Sequence, residues 1–135
     1  MSDRVFVDTN ILIYALSDDP IRSEVADKIV YGKEDLIIST QVLNEFADAA
    51  QRKKYLTNEE VQLAITDFIS SYTVILVGTV TILSALRLQK NYMLSYWDAL
   101  IVATALEANC SMLFTEDMQN GLLIKNTLTI RNPFA

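Results

Sequence analysis

The chain has 135 residues, 51% of them hydrophobic, a formal charge of −6 and no histidine. That length supports a single domain with a substantial core, and the missing histidine excludes Ser-His-Asp and Cys-His nucleophilic schemes, imidazole general bases and histidine-containing zinc sites. With histidine absent, any chemistry must rest on carboxylates, hydroxyls and bound ions; the acidic balance separately counts against broad electrostatic attachment to nucleic acid, which normally relies on a basic face.

Arg4-Val5-Phe6-Val7 is β-branched and aromatic and reads as a short first strand, stopped by the polar triplet Asp8-Thr9-Asn10, which suits the start of a helix through Ile11 to Leu16. Asp18-Asp19-Pro20 breaks that helix, and a second amphipathic helix is expected from Ile21 to about Tyr31. Leu36-Ile37-Ile38 reads as a buried strand. Ser39-Thr40 then caps a helix from Gln41 to about Lys53, with Val42, Leu43, Phe46, Ala47 and Ala50 at helical spacing and Glu45 at the edge of that face. Thr57-Asn58-Glu59-Glu60 matches a capping box and predicts a helix from Glu59 to Ser70. Val74 to Val77 is expected as a third strand, followed by helices over Val80 to Tyr92 and Trp97 to Asn109. Met112-Leu113-Phe114 is expected as a fourth strand, and the alternation of Leu128 and Ile130 suggests a short fifth.

Short apolar strands alternating with helices predict a parallel sheet covered on both faces, with ligands bound beyond the carboxyl ends of its strands. Asp8 follows the first strand and Asp117 the fourth, so two acids are expected at that mouth. No repeat, linker or low-complexity segment divides residues 1–135, which are read as one domain. The single cysteine, Cys110, excludes an internal disulfide, and MSDRVFVD lacks the basic start and apolar run of a secretory signal. Asp98 interrupts the longest apolar stretch, so no membrane role is expected. The expected location is the cytoplasm.

Each acid carries a local alternative. Asp8 could be the cap of the following helix, and Asp117 ordinary turn material with Glu116 beside it as a rival. Asp98 is the only charge between Lys90 and Glu107 and reads as buried; it needs a hydrogen bond, an ion pair or a cation, and a Ser95-x-x-Asp98 capping box could supply the first. Glu45 has no basic partner four residues away and could simply be solvated. Converging, the four would suit Mg²⁺ or Mn²⁺, hard cations that take oxygen ligands and activate water in phosphodiester hydrolysis. Arg52-Lys53-Lys54, at the end of the Glu45 helix, could contact backbone phosphates or complement the helix C-terminus.

The segments Val7 to Tyr14, Asn44-Glu45-Phe46, Tyr96 to Ile101 and Thr115 to Gln119 resemble successive motifs of the PIN-domain family, and most closely the VapC toxins of toxin–antitoxin pairs; the resemblance continues through Asn120-Gly121 to Phe134. It implies a three-layer α/β fold with a central, short parallel sheet of four to five strands flanked by helices. It also implies a Mg²⁺- or Mn²⁺-dependent endoribonuclease, with metal held by the acids Asp8 and Asp98, completed by Glu45 and Asp117, and supported by Thr9, Asn10 and Thr115. A homodimer and a small antitoxin with a basic tail are the implied partners, the latter matching an acidic surface. A PIN-like binding module without turnover and a structure-selective DNA nuclease are the alternatives.

Overall fold

The computed structural model describes residues 4–32 and 35–135; Met1 to Asp3, part of the stretch read as signal-free, lie outside them. Strand β1 (Val5–Val7) leads through helices α1 (Thr9–Tyr14) and α2 (Pro20–Val30) to β2 (Leu36–Ser39). Helices α3 (Thr40–Arg52) and α4 (Asn58–Ser71) connect to β3 (Thr73–Ile75), and α5 (Thr79–Tyr92) and α6 (Tyr96–Glu107) to β4 (Met112–Phe114). The short β5 (Leu123–Ile124) and β6 (Leu128–Arg131) complete the chain. The strands lie in the order β3-β2-β1-β4-β6-β5. Every neighbouring pair is parallel except β5 with β6.

Every residue of β1 and β2 is buried, on both sides of the pleat. Alternate residues point to opposite faces, so both faces are covered by helices, as the continuous apolar runs VFV and LII require. From β1 the chain steps outward to β2 and β3, then returns to place β4 on the other side of β1. The point where the strand order reverses is a crevice at the carboxyl ends of β1 and β4. Asp8 and Thr115 are the residues directly after those two ends.

The caps fall where hydroxyl and carboxylate side chains allow. Asp19 accepts from the N–H groups of Ile21 and Arg22, with Pro20 opening α2. Ser39 accepts from Val42 N–H at the start of α3, and Thr57 and Glu60 close the capping box of α4. Phe46 and Phe68 join α3 to α4 edge to face, with centroids 5.0 Å apart. The run Ala99 to Ala105 of α6 is buried throughout; such a helix must be packed on all sides.

The first helix ends at Tyr14 and the last at Glu107, two residues earlier than expected in each case, and the sheet differs in two details. The third strand is Thr73–Ile75, two residues shorter at its end than Val77, because Val77 N–H is taken by the Thr40 hydroxyl at 3.1 Å and so leaves the ladder. The sheet also has six strands instead of four or five, the extra one being β5, whose two residues are too few to show a period.

Candidate active site

Asp8 is tied to the sheet before its side chain does anything. Its N–H donates to Phe114 O at 3.0 Å, extending the β1–β4 ladder by one residue. Its Oδ1 then accepts from Thr9 N–H at 2.7 Å as the cap of α1, and its Oδ2 accepts from the Thr115 hydroxyl at 2.8 Å. Both local readings of this residue therefore hold together: one oxygen caps, the other faces β4. Only 5% of Asp8 is exposed. Burial pushes its carboxyl up to about 7, and Glu45 and Asp117 add to the rise, while hydrogen bonds from Thr115 and Thr9 oppose it.

The next two residues each hold a carboxylate from a distant part of the chain. The Thr9 hydroxyl donates to Glu45 Oε1 at 2.9 Å, across 36 residues. The Asn10 amide donates to Asp117 Oδ2 at 3.0 Å, across 107 residues. Asn10 also accepts from Glu116 N–H through Oδ1, and Asp117 N–H donates to the Thr115 hydroxyl at 3.1 Å. The Asp8-Thr9-Asn10 triplet is thus a fork that supplies one acid and fixes two more. Glu45 has a partner after all, on α1 instead of on its own helix.

Asp98 stands in the first turn of α6, where the Ser95 hydroxyl accepts from Asp98 N–H at 3.2 Å. The sequence places a buried charge here; instead the helix is buried from Ala99 onward, and Asp98 is half-buried at the cleft wall. The deeply buried acid is Asp8, because it leaves a central strand whereas Asp98 begins a helix at the rim. Burial raises the Asp98 carboxyl, with Asp117 adding and Ser95 opposing.

The four carboxylates line a single open cleft of about 450 Å³ together with Thr9, Asn10, Arg52 and Lys53. Lys54, in the left-handed region at φ 61°, is not part of that lining. Arg52 Nε lies 3.4 Å from Asp48 Oδ2 at the rim. Glu116, the rival to Asp117, also lines the cleft, but its oxygens are taken up: it accepts from the Tyr14 hydroxyl at 2.8 Å and from Arg22 Nε at 3.3 Å. Tyr14 and Arg22, which steady this loop, carry no sequence signal because 102 and 94 residues separate them from Glu116.

Among the described residues, no three acidic or cysteine side chains close into a ready-made metal cluster. The acids share a cleft without gathering around a point. The donor set is nonetheless all oxygen, and the Asp8 carboxyl is raised chiefly by burial and to a smaller extent by its acidic neighbours, both of which a bound cation would offset. The residues fit a hard divalent ion held by one or two carboxylates, with water and a substrate phosphate filling the remaining positions.

Residues 5–119 match the PIN domain family. The chain belongs to that family. The PIN fold recurs in a toxin–antitoxin complex from Klebsiella pneumoniae, 21% identical with a TM-score of 0.71 over 96% of this chain and 97% of that one. It recurs in VapC20 of Mycobacterium tuberculosis, a sarcin-ricin loop cleaving toxin, at 18% identity and TM-score 0.69 over 84% and 91%. VapBC2 of Rickettsia felis, solved with a DNA fragment from its promoter, is 21% identical with a TM-score of 0.67 over 96% and 99%. No curated protein sequence matches the chain.

Proposed function

We propose that this PIN protein is a divalent-metal-dependent endoribonuclease and the toxin of a toxin–antitoxin pair. The observation that carries the reading is the single cleft at the switch point of the sheet, lined by Asp8, Glu45, Asp98 and Asp117. Asp8 and Asp98 would hold Mg²⁺ or Mn²⁺, and Glu45 and Asp117 would orient the attacking water or a second ion. The bound ion supplies Lewis-acid activation of water and charge stabilisation at the scissile phosphate. The chain itself does the positioning: Thr9 fixes Glu45, Asn10 fixes Asp117, and Thr115 holds the inner oxygen of Asp8. Arg52 and Lys53 line the cleft's outer part, where a backbone phosphate would meet the only cations among its lining residues. In-line attack by water would leave 5′-phosphate and 3′-hydroxyl ends.

The partners follow the same reading. The named toxins and complexes of like fold support a small antitoxin as the regulator, and a basic antitoxin tail would be drawn to an acidic cleft. A homodimer acting in the cytoplasm completes the proposal. Among the described residues no helix is long and apolar enough to cross a membrane.

The test is cleavage of a defined RNA pool with Mn²⁺ or Mg²⁺, comparing the wild type with Asp8→Asn and Asp98→Asn, and adding matched DNA as a competitor. The reading expects cleavage that stops on chelation, is lost in both variants and is little affected by DNA. Cleavage surviving both substitutions or chelation would overturn the metal mechanism, and preferential cleavage of DNA would overturn the substrate.

A further inference from the structure

A second open pocket, of about 610 Å³, lies beside the carboxylate cleft and shares Gln41, Glu45, Asp48 and Trp97 with it. Trp97 is the only tryptophan of the chain, and it is 62% exposed even though it stands in the first turn of the most apolar helix. An indole that contributes so little to the core is free to offer an aromatic face. Behind it, Gln41 is only 8% exposed. Its Nε2 donates to Trp97 O at 3.3 Å, which fixes the amide's orientation and leaves Oε1 as a buried acceptor without a hydrogen-bond partner among the described residues. A stranded acceptor of that kind is costly and calls for a donor.

Resting on the RNA-cleaving reading, we infer that this pocket receives the nucleobase next to the scissile phosphate, stacked on Trp97, and selects bases that carry an exocyclic amine. The charge pattern favours a base over the backbone. Glu45 and Asp48 line the pocket, no cation does so among the described residues, and a phosphate would be repelled there. The carboxylate cleft, with Arg52 and Lys53, is the place for the phosphate, and the shared wall puts base and phosphate of one strand side by side. Single strands are bound in this manner elsewhere, by stacking of unpaired bases on aromatic side chains with hydrogen bonds to their edges. Glu45 and Asp48 offer four carboxylate oxygens that only accept, with the Gln41 carbonyl sealed beside them, against donors from the Thr40 hydroxyl, the Asn44 amide and the remaining N–H of Gln41. An acceptor-rich pocket suits the amines of adenine, cytosine and guanine. Uracil, whose one ring N–H lies between two carbonyls, meets those acceptors poorly.

The test uses the emission of Trp97, the chain's single tryptophan, which stands on the wall between this pocket and the carboxylate cleft, so that the abasic chain separates base stacking from phosphate binding. Fluorescein-labelled, cleavage-resistant phosphorothioate oligomers of about eight nucleotides, within the usual site size for single strands, are titrated into the wild-type protein with Mg²⁺. The set is oligoadenylate, oligocytidylate, oligouridylate and an abasic ribose-phosphate chain, with anisotropy of the label and tryptophan quenching read together. The expected result is quenching by the adenylate and cytidylate oligomers at roughly fivefold lower concentration than by the uridylate, with none from the abasic chain. Trp97→Ala should weaken adenylate binding roughly tenfold by anisotropy, and Trp97→Phe should recover most of it. Binding that leaves Trp97 emission unchanged, or equal affinity for the abasic chain or the uridylate, overturns the base pocket and leaves the nuclease reading standing. No binding of any oligomer overturns both.

Discussion

The Thr115 hydroxyl donates to Asp8 Oδ2 at 2.8 Å across the carboxyl ends of two adjacent parallel strands, inside the protein and out of reach of solvent. The Thr115 hydroxyl oxygen also accepts from Asp117 N–H at 3.1 Å, so one side chain links the inner acid to the loop that carries an outer one. Thr115→Val keeps the shape and removes the hydroxyl. It should raise the Asp8 carboxyl further, destabilise the protein by roughly 1–3 kcal/mol, and lower metal-supported activity by at least about tenfold. The acid limb of the pH–rate profile should move to higher pH, and Thr115→Ser should return it; an unmoved profile would reduce Thr115 to a packing residue.

The Asp8 carboxyl, raised from 3.8 to about 7, links stability to pH in the metal-free protein. The folded state binds the proton more tightly than the unfolded chain. That contribution is therefore fully present below about pH 3.8 and is lost as the pH rises through about 7; in all it is worth roughly 4 kcal/mol. Melting curves of the metal-free protein should fall across that window on account of this group. Mn²⁺ should restore stability at pH 8 far more than at pH 5, where it competes with the proton. Equal stabilisation at both values would contradict a site centred on Asp8.

Asp8→Asn removes the same buried charge while its amide oxygen can still accept a hydrogen bond. At pH 8 without metal the variant should be more stable than the wild type by about 1–3 kcal/mol, and should have no detectable cleavage. A variant less stable than the wild type under those conditions would mean that the carboxylate is not strained by its surroundings.

Arg22 and Tyr14 reach Glu116 from α2 and α1, and Glu116 adjoins Asp117. Arg22→Ala should change stability by no more than about 1 kcal/mol, as expected for a partly exposed ion pair. It should still reduce activity severalfold by loosening the loop on which Asp117 rides. Unaltered activity would confine the Glu116 network to the surface.

Charge reversal at Arg52 and Lys53 should weaken RNA binding, reduce its salt dependence and leave Mn²⁺ affinity unchanged. Lys54→Glu should have less effect, because Lys54 lies outside the cleft's lining. Unchanged RNA affinity after the double reversal would assign the two side chains to the helix terminus alone.

The sheet and most helices were legible because their signals are local: VFV and LII need burial on both faces, and Thr57 with Glu60 writes its own helix start. The acids were legible as candidates only. Asp98 looked buried because its neighbours are apolar, yet exposure depends on where a helix begins relative to the cleft, and Asp8 proved the deeper one. The partners of Glu45 and Asp117 could not be read at all, because Thr9 and Asn10 meet them across 36 and 107 residues, and no periodicity spans such distances. The β5 strand and the early end of β3 were lost for the opposite reason: two residues, or one hydroxyl from Thr40, decide them.

The bond from Asp8 N–H to Phe114 O makes the innermost acid a member of the central ladder. Its amide should exchange with deuterium as slowly as those of Phe6 and Leu113, on the timescale of global opening. Asp8 is thereby held for as long as the central sheet is, so the inner part of the cleft stays in place until the sheet opens. A substitution that loosens the cleft while the sheet stays intact therefore acts through the outer acids Glu45, Asp98 and Asp117, which ride on helices and a loop.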